Sequence, residues 1–153
     1  YKKNSKPINF VQDNLVFSKK HVFRGLHFQI DSMAQSKLIR VIKGKIIDIL
    51  LDIRPDSNNF LSWKSIMLEE SKKQSLFIPQ GFAHGYCVLS EEALVLYKVD
   101  NYYSKKHERF INIKNNKIKP NIYDSLKEEY IIKNLILSKK DQKKDDSLYD
   151  LKK

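Results

Sequence analysis

The residue types most suggestive of chemistry are an imidazole, an ammonium and a phenol. His27 stands in His21-Val22-Phe23-Arg24-Gly25-Leu26-His27-Phe28-Gln29, a run rich in aromatic and branched residues that reads as a strand. Alternation along a strand puts Gly25, His27 and Gln29 on one face. A lone strand histidine is more often a satisfied structural residue. Here, however, Lys37 lies on the neighbouring expected strand, and a strand histidine with a lysine beside it looks more like a site. A second histidine, His84, ends the segment Pro79-Gln80-Gly81-Phe82-Ala83-His84. That segment reads as a tight turn between strands, either aiming an imidazole or carrying an incidental one. Tyr97 shares a strand face with Ala93 and Val95, and a packed core phenol and a proton donor are equally compatible with that position. His21 and His107 have nothing diagnostic around them and read as surface residues.

A metal centre is not expected. A metal-binding barrel of this kind offers His-x-His, a Glu a few residues on and a later His, whereas this chain has His27-Phe28-Gln29 and no Glu between His27 and Glu69. His27 and His84 alone fall short of the three protein ligands a catalytic metal normally needs. There is no Gly-rich phosphate loop, Gly-x-Ser-x-Gly or Cys-x-x-Cys.

The elements that must position these side chains are strands. Lys37–Ile42 leads through Lys43-Gly44-Lys45 into Ile46–Ile53, and the two runs read as a hairpin. The second run is apolar at every odd position and mixed at the even ones, which suits a strand with one fully buried face. Further strands are expected at Leu61–Leu68, Ser75–Ile78, Gly85–Leu89, Ala93–Val99 and Arg109–Ile113. Short strands at regular spacing without intervening helices call for a sandwich or barrel. The helical signal is confined to Tyr123–Leu137, and from Lys139 onward Lys and Asp predominate.

The length of 153 residues suits one domain, and 41% hydrophobic against 31% charged residues leaves enough apolar material for a packed core. No apolar stretch is long enough to span a membrane, and no signal-peptide core follows the N-terminus. The single cysteine, Cys87, lies in an apolar run; it excludes an intrachain disulfide and fits a reducing cytoplasm. The net charge of +11 is spread along the chain without a basic stripe interleaved with aromatics, so no nucleic acid is expected; it is compatible with a diphosphate substrate.

Taken together, several segments resemble the dTDP-4-dehydrorhamnose 3,5-epimerases in order and spacing: Phe10-Val11-Gln12-Asp13-Asn14, Arg24 to Gln29, Lys37 to Val41, Ile78 to Gly85, Leu96-Tyr97-Lys98, Tyr102-Tyr103 and Leu137-Ser138-Lys139-Lys140-Asp141. The resemblance implies an all-β, cupin-type jelly-roll barrel, with the short helical segment at its C-terminal end, and a homodimer. It implies a cofactor-free reaction that inverts carbons 3 and 5 of dTDP-4-dehydro-6-deoxy-D-glucose to give dTDP-4-dehydro-L-rhamnose. Carried over by motif, His27 is the general base, Asp141 its orienting partner, Lys37 the cation on the enolate oxygen and Tyr97 the acid on the other face. Arg24, Gln12, Asn14, His84 and Tyr103 line the nucleotide-sugar site. The alternatives are a mono-epimerase of a related 4-ketosugar and a non-catalytic binding relative. The family carries a longer segment ahead of the position of Phe10, so the natural N-terminus is expected to be missing. An epimerase domain over 1–141 and a charged tail over 142–153 are expected.

Overall fold

The computed structural model describes residues 2–3, 6–113 and 134–142. Two sheets face each other. The first has the order β3 (Gln12–Lys19), β10 (Glu92–Val99), β5 (Lys37–Lys43), β8 (Ser75–Ile78). The second runs β11 (Glu108–Phe110), β4 (Val22–Gln29), β9 (Phe82–Val88), β6 (Lys45–Asp52), β7 (Trp63–Glu69). Every pairing in these two paths is antiparallel. A two-residue strand, β12 (Ile136–Leu137), adds in parallel to β4. A small ladder, β1 (Lys2–Lys3) with β2 (Lys6–Pro7), precedes the barrel.

The facing sheets enclose one core, in which Ile39, Val41, Ala93 and Val95 of the first sheet meet Ile46, Leu50, Tyr86 and Val88 of the second. β6 is buried on both faces. Its even positions point into the barrel, while Ile47, Ile49 and Leu51 join Phe23, Leu26, Phe28, Ile111 and Leu137 in a second cluster on the outer side of the sheet. The sequence pattern had suggested one buried face. The expected one is the outer face of odd positions, covered by Ile111 and Ile113 after β11 and by Leu135 and Leu137, and the mixed even positions are buried as well because they face the other sheet.

β5 and β6 do not form the expected hairpin: β5 pairs with β10 and β8, and β6 with β7 and β9. Gly44 instead turns the chain from one sheet to the facing one. Its φ of +84° is a left-handed conformation, and an added Cβ would lie 2.2 Å from the Glu92 carbonyl oxygen. Alternating apolar residues suit a strand facing its partner across the barrel as well as one bonded beside it, so pattern alone could not separate the two.

β3 was not anticipated as a strand because its apolar residues point the wrong way. Asn14, Val16 and Ser18 face the interior, while Leu15 is 62% and Phe17 52% exposed. At the other end, the expected helix over Tyr123–Leu137 is not supported: Ile136 and Leu137 are strand β12, held by Ile136 N–H donating to the His21 carbonyl at 2.9 Å. Residues 123–133 of that expectation, and all but Gln142 of the expected tail, lie outside the described residues. No helix among the described residues is long and apolar enough to cross a membrane.

Candidate active site

β4 carries the site, and a bulge decides which of its side chains enter it. Arg24 is opposite Tyr86 on β9 and His27 is opposite His84, so β4 spends three steps where β9 spends two. The extra residue breaks strict alternation. Phe23, Leu26 and Phe28 go to the outer cluster, and Arg24, His27 and Gln29 reach a common cavity. Alternation had grouped Gly25 with His27; the bulge substitutes Arg24. The strands touch at two glycines. An added Cβ on Gly25, where φ is +127°, would lie 2.5 Å from the Gly85 Cα, and one on Gly85 would lie 2.6 Å from the Arg24 carbonyl oxygen. Only glycine at both positions permits that approach.

The cavity has a volume of about 300 Å³. One wall comes from the second sheet, with Arg24, His27, His84, Tyr86 and Glu108; the opposite wall comes from the first, with Val16, Lys37 and Tyr97. The segment after β12 closes it with Ser138, Lys140 and Asp141. That segment is anchored by buried Leu137 and by a turn in which the Gln142 N–H donates to the Ser138 carbonyl at 3.1 Å.

His27 Nε2 lies 2.6 Å from Asp141 Oδ1. Ser138 Oγ donates to the other oxygen, Oδ2, at 2.8 Å. Burial pushes the Asp141 carboxyl up, but the hydrogen bonds from His27 and Ser138 outweigh it and hold the group below the usual carboxylate range. An ionised carboxylate only accepts, so Nε2 carries the hydrogen and a neutral His27 has its lone pair on Nδ1. Nδ1 faces Glu108 Oε1 at 3.3 Å.

Lys37 is buried, with Nζ 3.5 Å from the His27 carbonyl oxygen. Burial pushes its ammonium down from 10.5 to about 8, against the pull of Asp48 and Glu108. Burial likewise raises the Tyr97 phenol. Tyr97 is the direct neighbour of Asn14 on β3 and Ile39 on β5. His84 lies inside β9 rather than on a turn, two residues into a strand that starts at Phe82. Its Nε2 lies 2.9 Å from Asp48 Oδ2; burial drives the imidazole down, and the carboxylate only partly restores it.

Seven of the nine residues singled out from the sequence line this one cavity: Arg24, His27, Lys37, His84, Tyr97, Tyr103 and Asp141. Gln12 and Asn14 do not line it. They stand on either side of Asp13 on β3, joined by Gln12 Nε2 donating to Asn14 Oδ1 at 2.8 Å, and Gln12 Oε1 accepts from the Tyr103 N–H at 3.4 Å. Sequence reasoning missed Asp48 and Glu108. A charged residue within the most apolar run of the chain was a usable signal for Asp48, which is fully buried. Glu108 had no such mark. His21 and His107, read as surface, are half-buried, and His107 Nδ1 sits 2.7 Å from Ser104 Oγ.

The structure thus sets a His–Asp pair, a buried lysine and a phenol on the opposing wall around one cavity of a jelly-roll barrel. The chain belongs to the dTDP-4-dehydrorhamnose 3,5-epimerase family, whose model matches residues 1–148. It is 49% identical over 104 residues to the dTDP-4-dehydrorhamnose 3,5-epimerase of Shigella flexneri, covering 68% of this chain and 58% of that protein. It spans between 52% and 58% of the length of the first curated relatives it matches. Among solved structures, the Elizabethkingia anophelis dTDP-4-dehydrorhamnose 3,5-epimerase superposes with a TM-score of 0.81 at 37% identity, over 90% of this chain and 72% of that one. The Legionella pneumophila dTDP-6-deoxy-D-glucose-3,5-epimerase, in complex with dTDP-4-keto-L-rhamnose, gives 0.75 at 36% identity, over 87% and 66%.

Proposed function

We propose that this protein is a 3,5-epimerase of dTDP-4-dehydro-6-deoxy-D-glucose, yielding dTDP-4-dehydro-L-rhamnose. What carries this is the placement of His27 and Tyr97 on opposite sheets around a cavity that also holds buried Lys37. Hydrogens on the carbons flanking a ketone are acidic only when the enolate is stabilised. His27 Nδ1 takes the proton, and Asp141 stabilises the imidazolium through Nε2–H. The Lys37 ammonium faces the oxygen on which negative charge develops, in a buried setting where such a charge counts for most. Tyr97 returns a proton from the opposite face and is reprotonated by solvent. One proton is exchanged for another and no electrons are transferred, so the step needs no redox carrier. Arg24 and Tyr103 fit the diphosphate and base end of the substrate, with His84 on the sugar; Gln12 and Asn14, beside the cavity on β3, extend that end of the site.

The same reading includes a homodimer. On the outer face of the first sheet, Leu15 pairs across strands with Leu96 and Phe17 with Leu94, forming an apolar row at an edge strand. Such a row calls for a cover, and a second copy supplies it. The reading also includes a cytoplasmic location, which a single buried cysteine unable to form an intrachain disulfide supports.

Proton NMR of dTDP-4-dehydro-6-deoxyglucose in deuterated water tests the chemistry. Loss of signal at carbons 3 and 5 is expected. Exchange at one carbon makes this a mono-epimerase, and no exchange with dTDP still bound makes it a binding relative.

A further inference from the structure

Glu108 makes three contacts, and together they give it a role that the proton-transfer scheme does not use. Its Oε2 accepts from the Tyr103 hydroxyl at 2.9 Å, and its Oε1 is shared between Lys140 Nζ and His27 Nδ1, the latter at 3.3 Å. Burial opposes ionisation of Glu108, but the hydrogen bonds from Lys140, Tyr103 and His27 prevail and keep it ionised. An ionised carboxylate attracts Nδ1 only when Nδ1 carries a proton; facing a lone pair it is repelled. With Nε2 committed to Asp141, this contact therefore favours the imidazolium, which cannot act as a base. The other charged or titratable groups lining the cavity are Asp141 and Lys140 from the closing segment, Lys37 from β5, His84 and Tyr86 from β9, Tyr97 from β10, Tyr103, and Arg24 on His27's own strand. Of these only Asp141 also approaches a ring nitrogen, and it takes Nε2.

Resting on the reading of His27 as the base, we propose that Glu108 is a positioning residue that holds a proton on His27 Nδ1 in the empty site and gives up that contact when the sugar enters. Lys140 and Tyr103 then retain the Glu108 carboxylate while Nδ1 turns to the carbon-bound hydrogen. Substrate entry thus frees the Nδ1 lone pair from the carboxylate that opposes it.

The latch makes free enzyme and complex titrate differently. In Glu108→Gln the acid limb of kcat/KM, which reports the free enzyme, moves to lower pH by at least half a pH unit, so the variant outperforms the native protein several-fold on the acidic side; the acid limb of kcat, which reports the complex, stays in place. Lys140→Met leaves Glu108 with one fewer competing cation, and the kcat/KM limb moves to higher pH. Unmoved limbs in both variants overturn the proposal. Limbs of kcat and kcat/KM that shift together also overturn it, because Glu108 would then remain on His27 in the complex. A readout independent of turnover is the His27 imidazole titration by NMR in the substrate-free protein. A lower midpoint in Glu108→Gln supports the latch even if the native protein shows no exchange, in which case the epimerase reading fails and the latch does not. An unchanged midpoint overturns the latch whatever the activity.

Discussion

Replacing Lys37 with Met separates what the site needs from what the fold prefers. Lys37 is buried in the barrel between the two sheets, and burial pushes its ammonium from 10.5 to about 8 despite the attraction of Asp48 and Glu108. Each pK unit corresponds to about 1.4 kcal/mol, so holding the charged form in the folded state costs about 3 kcal/mol relative to the unfolded chain. The sign follows from proton counting. Below pH 8 both states bind the proton and the whole cost is present. Between pH 8 and 10.5 the unfolded state binds more protons, so stability rises with pH, and above 10.5 the cost is gone. Met fills the volume of the lysine stem without the charge. Lys37→Met should therefore be more stable than the native protein by about 3 kcal/mol at pH 7, with the gap shrinking to about 1 kcal/mol or less by pH 10. Urea unfolding of both proteins at the two pH values measures this, and the same variant should lose proton exchange. A variant less stable at pH 7, or a gap that does not change with pH, refutes the idea that desolvation of this ammonium dominates its energetics.

Four other outcomes follow from the geometry. His27→Asn should lower carbon-bound proton exchange by roughly 10²–10⁴-fold, the usual worth of a positioned base, with an unchanged melting curve; exchange at the native rate would remove His27 from the role of base. Tyr97→Phe should leave exchange at carbon 3 largely intact while product with the inverted configuration falls, read by NMR of the sugar after long incubation; equal loss of both would place Tyr97 outside the reprotonation step. Gly85→Ala drives a Cβ to 2.6 Å from the Arg24 carbonyl; overpacking of this kind costs roughly 1–3 kcal/mol, and because the clash lies at the bulge, activity should drop along with the melting temperature. Phe17→Glu, on the half-exposed outer row, should leave the fold intact and shift the protein to a monomer in sedimentation; an unchanged mass would mean that a different face associates.

Much of the barrel was legible because strands write themselves as short β-rich runs between turn residues. Ser75–Ile78 begins and ends where expected, and Ala93–Val99 grows by one residue at its start. β3 was hidden because its outward side is the apolar one: Leu15 and Phe17 turn away from the core while Asn14 and Ser18 turn in, the reverse of the usual sign. The hairpin expected at Gly44 failed because periodicity reports which face is buried and not which strand lies alongside. The helix expected before Leu137 failed where it can be compared, because Ile136 and Leu137 satisfy their backbone by adding to β4 and bury Leu137 in its outer cluster. Of the site, the residues with unusual chemistry for their surroundings were visible. Glu108 was not, because a glutamate near a strand end is ordinary in sequence and becomes distinctive only beside His27.

The bulge explains why so many functional side chains can be read from one short run and yet not be placed by it. In an unbroken strand Arg24 and His27 lie on opposite faces, and one would be spent on the outer hydrophobic cluster. Inserting one residue between them brings both to the cavity, while Phe23, Leu26 and Phe28 remain on the apolar side. The insertion is possible only because β4 and β9 meet backbone to backbone at Gly25 and Gly85, two residues far apart in the chain that must both lack a Cβ. The register after the bulge then sets His27 directly against His84, whose Nε2 reaches Asp48, while Asp141 arrives from the far end of the described chain to take His27 Nε2. Each imidazole thus has a carboxylate on Nε2, but their surroundings differ. His84 and Asp48 are both buried in the wall, where desolvation keeps the imidazole from charging. His27 is more open to the cavity, with Glu108 at its second nitrogen. Two paired histidines with the same kind of partner on Nε2 are set toward different tasks by burial and by Glu108: desolvation disfavours the charged form of His84 in the wall, and His27 opens to the cavity with a second carboxylate at Nδ1.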